Sequence, residues 1–181
     1  MTRARPGGET RFGSKGLREA ITWLDKSTLP LVQQPIRVQE AMLIDEAVRI
    51  LDQIFPPGLQ QSYDRCGFQC GRTDRALTGI LVGLDVSDEL IEEALEQGCN
   101  LLVTHHPLLF DPLTRIGNSG RVERLVHRVL EAGLAVYAAH TNADAMPDTV
   151  SGALADALGL RNTRVLDPLK GILRQLVGYI P

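Results

Sequence analysis

Apolar positions between Met42 and Leu160 follow two alternating rhythms, one with helical spacing and one in short unbroken runs. Leu43, Ala47, Ile50, Leu51 and Ile54 fall at helical spacing before "PPG", which predicts a helix that stops there. Residues 77–86, "LTGILVGLDV", are apolar, partly β-branched and too short a run for a helix, so they predict a buried strand. "SDELIEEALEQG" then predicts a compact helix with Ser87 as N-cap, Leu90 as a core contact and Gly98 at its C-terminal end. The strand "NLLVT" follows and ends at His105. After a loop through Gly120 comes "RVERLVHRVLEAG", in which Val122, Leu125, Val126 and Val129 share one helical face. "LAVYAA" is the next strand, ending at His140, and "MPDTVSGALADALGL" is a further helix. The stretch "QQSYDRCGFQCGRTD" reads as a loop, and the last run, "RQLVGYI", as one more strand.

Strand and helix in short alternation imply a parallel sheet built from right-handed crossovers. The expected fold is therefore α/β: a three-layer-like domain with a mostly parallel sheet flanked by helices. Residues 42–181 form this domain. Residues 1–41 combine Gly, Pro and charges with one short helical pattern, "GLREAITWLDK", and read as a loosely ordered N-terminal extension.

Composition narrows the function classes. Nineteen basic and 22 acidic side chains are mixed along the 181 residues, giving a net charge of -3, so no footprint for nucleic acid or an anionic membrane is present. Three cysteines, Cys66, Cys70 and Cys99, are too few for a disulfide framework and favour a reducing compartment. No apolar run approaches the roughly 20 residues that span a bilayer. The basic N-terminal residues lack an apolar segment for a secretory signal, and Glu9 and Glu19 argue against an organelle transit peptide. The expected location is the cytoplasm.

Candidate chemistry sits at the strand ends, where ligands gather in open parallel sheets. His105 and His106 follow one strand, and "HTNAD", His140 to Asp144, follows another. Consecutive residues in a regular strand project to opposite faces, so the pair cannot chelate one ion from there unless a turn at Pro107 relaxes it. The alternative is one imidazole on each of two neighbouring ions, with Asp144 nearby; such N/O ligation suits Zn, Mn, Fe or Co. Paired ions can acidify a shared water and support hydrolysis. Against this stands an ordinary reading, in which the histidines are hydrogen-bonded core residues and Asp144 makes an Asx-turn. His127 reads as part of a solvated helix face, and Cys66 and Cys70 as small apolar residues rather than thiolate ligands. Asp85 reads equally as an acceptor lining the cleft or as a helix N-cap. There is no G-x-G-x-x-G, P-loop or G-x-S-x-G motif.

The strings "SYDRCGFQCG", "GILVGLDVSDELIEEALEQGCNLLVTHHPLLF" and "LAVYAAHTNADAMPDTVSGALADALGL", in that order, resemble the N-terminal half of the dinuclear-metal-centre proteins called GTP cyclohydrolase 1 type 2 homologues. The resemblance covers residues 42–181. It implies two divalent metal ions per chain, held in part by His105, His106 and Asp144; His140, at the same strand end, is the catalytic candidate, placed to ligate, to orient a ligand or to shuttle a proton. It also implies a toroidal homo-hexamer with sites facing an internal cavity. The implied substrate is a small nucleotide, GTP, whose guanine imidazole carbon would be attacked by hydroxide with release of formate; Arg72, Arg75 and Arg115 are the candidates for its triphosphate. This sequence has Tyr63 where the family has Trp, and Cys66 and Cys70 where it has aliphatic residues. The family's remaining ligands, a His and a Glu, come from a C-terminal segment with no counterpart here. The expectation is therefore a chain truncated at its C-terminus, with impaired hydrolysis and a self-associating last strand. The rival expectation is a non-catalytic regulatory or scaffold protein of the same fold, which metal stoichiometry and hydrolysis separate.

Overall fold

Every residue from Leu101 to Thr104 is buried, and so is every residue from Ala135 to Ala138, as strands covered on both faces must be. The computed structural model describes residues 11–12, 36–38, 42–146 and 150–162. Six strands form one sheet: β1 (Arg11–Phe12), β2 (Ile36–Val38), β3 (Gly67–Cys70), β4 (Gly79–Gly83), β5 (Leu101–Thr104) and β6 (Ala135–Ala138). Their order is β1-β2-β4-β5-β6-β3. β4, β5 and β6 are parallel, while β2 and β3 flank them antiparallel. β1 and β2 thus add two short pairings from within the stretch read as an extension. The candidate helix "GLREAITWLDK" and the last run "RQLVGYI" lie outside the described residues.

Five α-helices and a short 3-10 turn at Pro57–Leu59 complete the described elements: α1 (Ile44–Ile54), α2 (Asp88–Glu96), α3 (Arg121–Glu131), α4 (Thr141–Asp144) and α5 (Val150–Ala157). The sheet's two faces are read directly from alternate strand residues. Ile80, Leu101, Val103, Ala135 and Tyr137 pack with Ile44, Ala47, Val48 and Leu51 of α1. Leu81, Leu102 and Val136 face the other way, onto Ile91 and Ala94 of α2 and Leu125, Val126 and Val129 of α3. Helix, sheet and helix pair make the three layers that the sequence predicts. Both crossover helices lie on the same face because the strand order advances in one direction with one handedness.

Local signals explain the helix ends. The Ser87 hydroxyl accepts the Leu90 N–H at 3.2 Å and caps α2. At the other end of α2, Gly98 adopts φ 64°, a left-handed conformation suited to glycine after a helix. In α1 the inward residues begin at Ile44 rather than Leu43, because Leu43 is the N-cap; its backbone N–H donates to the Glu46 carboxylate at 2.8 Å and its side chain is exposed.

One element departs from the sequence reading. The stretch "QQSYDRCGFQCGRTD" contains β3, which pairs with β6 as an edge strand. Its signal is weak for physical reasons: it has four residues, opens on Gly67 at φ 92°, and shifts register between Phe68 and Cys70, so no clean two-residue alternation survives. Gly71 then lets the chain leave the sheet. Its φ is 115°, and a Cβ there would stand 2.5 Å from the Ala135 Cα.

Candidate metal centre

The carboxyl ends of β5 and β6 carry the histidines. Regular strand geometry stops at Thr104, whose buried hydroxyl donates to the His106 carbonyl at 2.9 Å. The next two N–H groups both turn toward β4: His105 donates to the Gly83 carbonyl at 3.1 Å and His106 to the Leu84 carbonyl at 2.9 Å. In a regular strand successive N–H groups point to opposite sides, so the chain has already turned before Pro107. That turn brings the two rings to a centroid separation of 5.2 Å.

His140 follows β6, and its carbonyl accepts the N–H groups of Ala143 and Asp144, which starts α4. This single turn of helix returns Asp144 toward β5, placing its Oδ2 3.8 Å from His105 Nε2. The His140 ring stands edge-on to both neighbours, with centroids 5.1 Å from His105 and 5.6 Å from His106. One ring nitrogen from each of the three histidines lies within 4.8 Å of the others. The structure therefore brings His105, His106 and His140 together and sets Asp144 beside His105.

Each imidazole also has an oxygen behind it. His105 Nδ1 is 2.9 Å from the Ala139 carbonyl, His106 Nδ1 is 2.8 Å from Asp85 Oδ1, and His140 Nδ1 is 2.9 Å from Asp64 Oδ1. With hydrogens on Nδ1 donated to those oxygens, the neutral rings keep their Nε2 lone pairs for a ligand. Of the two roles that the sequence leaves open for Asp85, the observed one is acceptor to His106, since Ser87 caps the helix.

Asp64 has no counterpart among the residues singled out from the sequence. It is fully buried although it precedes an edge strand. Burial pushes its carboxyl up, but hydrogen bonds from Thr141, His140, Cys66 and the Arg65 N–H outweigh this and hold it well below the usual carboxylate range. Asp64 lies within the string "SYDRCGFQCG" that carries the family resemblance, but neither periodicity nor ligand spacing marks it there as a site residue, and the fold reveals its role. Cys66 donates its thiol to Asp64 Oδ2 at 3.0 Å. Burial and the adjacent carboxylate both push that thiol up, and burial pushes Cys70 up to about 11. Both thiols therefore stay protonated near neutral pH in the metal-free chain.

The arginines proposed for a triphosphate do not gather at this site. Arg72 forms a bidentate pair with Asp74. Arg75 packs over Gly133, just before β6, at the end of the sheet opposite the histidines. Their position follows from the antiparallel course of β3, which returns the chain to the amino ends of β4 and β6. Arg115 lies on the exposed loop after His106. Among the described residues, no helix is long and apolar enough to cross a membrane.

Comparison with known proteins agrees with this architecture. A family model for Duf34/NIF3 (NGG1p interacting factor 3) matches residues 42–178. A GTP cyclohydrolase 1 type 2 homolog of Mycobacterium tuberculosis is 37% identical over 138 residues, covering 75% of this chain and 36% of the relative. One from Bacillus subtilis is 34% identical over 137 residues, covering 75% and 37%. The chain thus spans little more than a third of the length of these curated relatives. Among solved structures, a Bacillus cereus protein related to NIF3 superposes with a TM-score of 0.67 at 34% identity, covering 72% of this chain and 36% of that one. Reduced HcgD from Methanocaldococcus jannaschii superposes with a TM-score of 0.63 at 29% identity, covering 71% and 51%.

Proposed function

We propose that this chain, which belongs to the Duf34/NIF3 family, is a divalent-metal-binding protein whose centre is built on His105, His106, His140 and Asp144. The observation that carries the reading is the uniform pairing of all three Nδ1 atoms with oxygen acceptors, which leaves Nε2 of each clustered ring for a ligand, with the Asp144 carboxylate 3.8 Å from His105 Nε2. This donor set fits Zn, Mn, Fe or Co. A bound divalent ion would supply Lewis acidity and lower the pKa of a water molecule toward neutrality.

The chain's own residues do the positioning. The Ala139 carbonyl, Asp85 and Asp64 fix the three rings, and α4 delivers the Asp144 carboxylate beside His105. With Nδ1 directed at Asp64, His140 keeps Nε2 either to bind an ion or to take up a proton, and the proposal assigns it as the third nitrogen donor. Family membership supports the finer parts of the proposal: a second ion shared by residues elsewhere in the full-length family fold, hydrolysis of a small nucleotide such as GTP, and assembly into a toroidal homo-hexamer in the cytoplasm.

Elemental analysis after loading with Zn, Mn, Fe or Co and exhaustive dialysis tests the core claim. At least one ion per folded chain is expected, lost in His105→Ala/His106→Ala. A folded chain that retains none defeats the metal reading. Formate release from GTP is the separate assay for hydrolysis; a loaded chain that releases none favours the regulatory or scaffold role.

A further inference from the structure

Asp64 is the one charged side chain that is fully buried among the described residues, and its two oxygens accept five hydrogen bonds. Oδ1 takes the Arg65 backbone N–H at 2.7 Å and His140 Nδ1 at 2.9 Å. Oδ2 takes the Cys66 thiol at 3.0 Å, the Thr141 backbone N–H at 3.1 Å and the Thr141 hydroxyl. Backbone N–H groups can only donate, and the crowd of donors leaves no position for a hydrogen of the carboxyl's own. The group therefore acts as a carboxylate at every contact, and the hydrogen it shares with His140 sits on Nδ1.

We propose that Asp64 is the positioning residue of the centre: it fixes the tautomer and the plane of His140, so that Nε2 is the nitrogen offered beside His105 and His106. The other two rings are held differently. His105 leans on a backbone carbonyl, which the sheet itself places, and His106 leans on Asp85, whose side chain is 56% exposed and open to competition from water. Asp64 alone combines burial with a side chain contributed from a separate segment. That segment is tied to His140–Thr141 at one further point, where the Gln61 N–H donates to the Thr141 hydroxyl at 3.0 Å, and it is closed on itself by the Gln60 side chain, which accepts the Cys66 N–H at 2.8 Å. The loop before β3 is thus a clamp on the turn after β6, and its chemical tip is one carboxylate.

The inference rests on the metal reading, yet its first test needs no metal. In the full 181-residue chain, stripped of metal, labelled with nitrogen-15 and held at pH 8, long-range imidazole proton–nitrogen correlations report which ring nitrogen carries the hydrogen. His140 is expected as a single Nδ1–H tautomer. In Asp64→Asn the amide brings two hydrogens into a pocket of donors, so His140 is expected to shift to the Nε2–H tautomer or to a mixture. The same substitution is expected to weaken Zn binding by about 10- to 100-fold in titration calorimetry. A wild-type His140 that carries its hydrogen on Nε2 overturns the proposal even if Asp64→Asn does not fold, and so does an unchanged tautomer in a folded Asp64→Asn. If the tautomers behave as expected while the wild-type chain binds no Zn, the positioning role stands and the metal reading alone falls.

Discussion

His105 Nε2 stands 3.8 Å from Asp144 Oδ2, although the two residues follow different strands and Asp144 arrives by way of the short helix α4. That gap is too long for a hydrogen bond, so neither group uses up the other's ligand capacity. Asp144→Asn is therefore expected to weaken Zn or Mn binding by at least about tenfold, because it removes the carboxylate charge while keeping the shape. The metal-free protein is expected to keep its stability within about 0.5 kcal/mol, as for other partly exposed surface changes. Calorimetric titration paired with thermal melts checks both; unchanged affinity would remove Asp144 from the donor set.

The close approach at Gly71 gives a prediction about the scaffold alone. Gly71→Ala must hold φ 115° and place a Cβ 2.5 Å from the Ala135 Cα and 2.6 Å from the Leu134 carbonyl oxygen. Both neighbours are backbone, at the start of a buried central strand, and cannot step aside cheaply. Strain and overpacking together are expected to cost at least about 2 kcal/mol. Urea denaturation measures it, and a cost below about 0.5 kcal/mol would contradict the close packing of β3's exit against β6.

Much of this architecture is legible in the sequence because its signals are local. Three parallel strands are covered on both faces and read as unbroken apolar runs, while Ser87 and Gly98 mark their helix as N-cap and C-terminal residues do. The strand-end rule places His105, His106 and the His140–Asp144 turn at one rim before any coordinate is known. What escapes is non-local. Asp64 becomes a site residue only when the antiparallel edge strand β3 folds beside β6, and nothing in "SYDRCG" announces that pairing. Arg72 and Arg75 fail as ligand-binding candidates for the same reason: β3 runs against the parallel strands and carries them to the far end.

Burial of two ionisable groups predicts alkaline sensitivity. Cys70 is pushed up to about 11 by burial, against about 9 when exposed. Tyr137 is pushed up by burial and by its hydrogen bond to Asp52. Each folded-state value lies above the unfolded one, so the unfolded chain loses its proton first as pH rises. The stability contribution of Cys70 is present below pH 9 and is lost between about pH 9 and 11, amounting to roughly 2 kcal/mol after allowing for its partial exposure. Denaturation midpoints are expected to fall across that window, with a shallower fall in Cys70→Ala. A flat profile to pH 11 would show that the thiol is better solvated than its packing indicates.

Asp85 and Ser87 lie two positions apart yet support different things, and their variants are expected to separate. Ser87 holds the first turn of α2 through the Leu90 N–H. Its replacement in Ser87→Ala is expected to cost about 1 kcal/mol of folding stability with metal affinity unchanged. Asp85 holds the His106 ring from an exposed position. Asp85→Asn is expected to leave stability within about 0.5 kcal/mol, since exposed pairs contribute little. It lowers metal affinity by about tenfold, at the small end of the range for residues that orient a metal-binding histidine, because water competes for the same imidazole hydrogen. Urea curves and Zn titrations on the two variants test the split. If both properties moved together in both variants, the helix start and the centre would form one cooperative unit, and the assignment of Asp85 to His106 would lose its meaning.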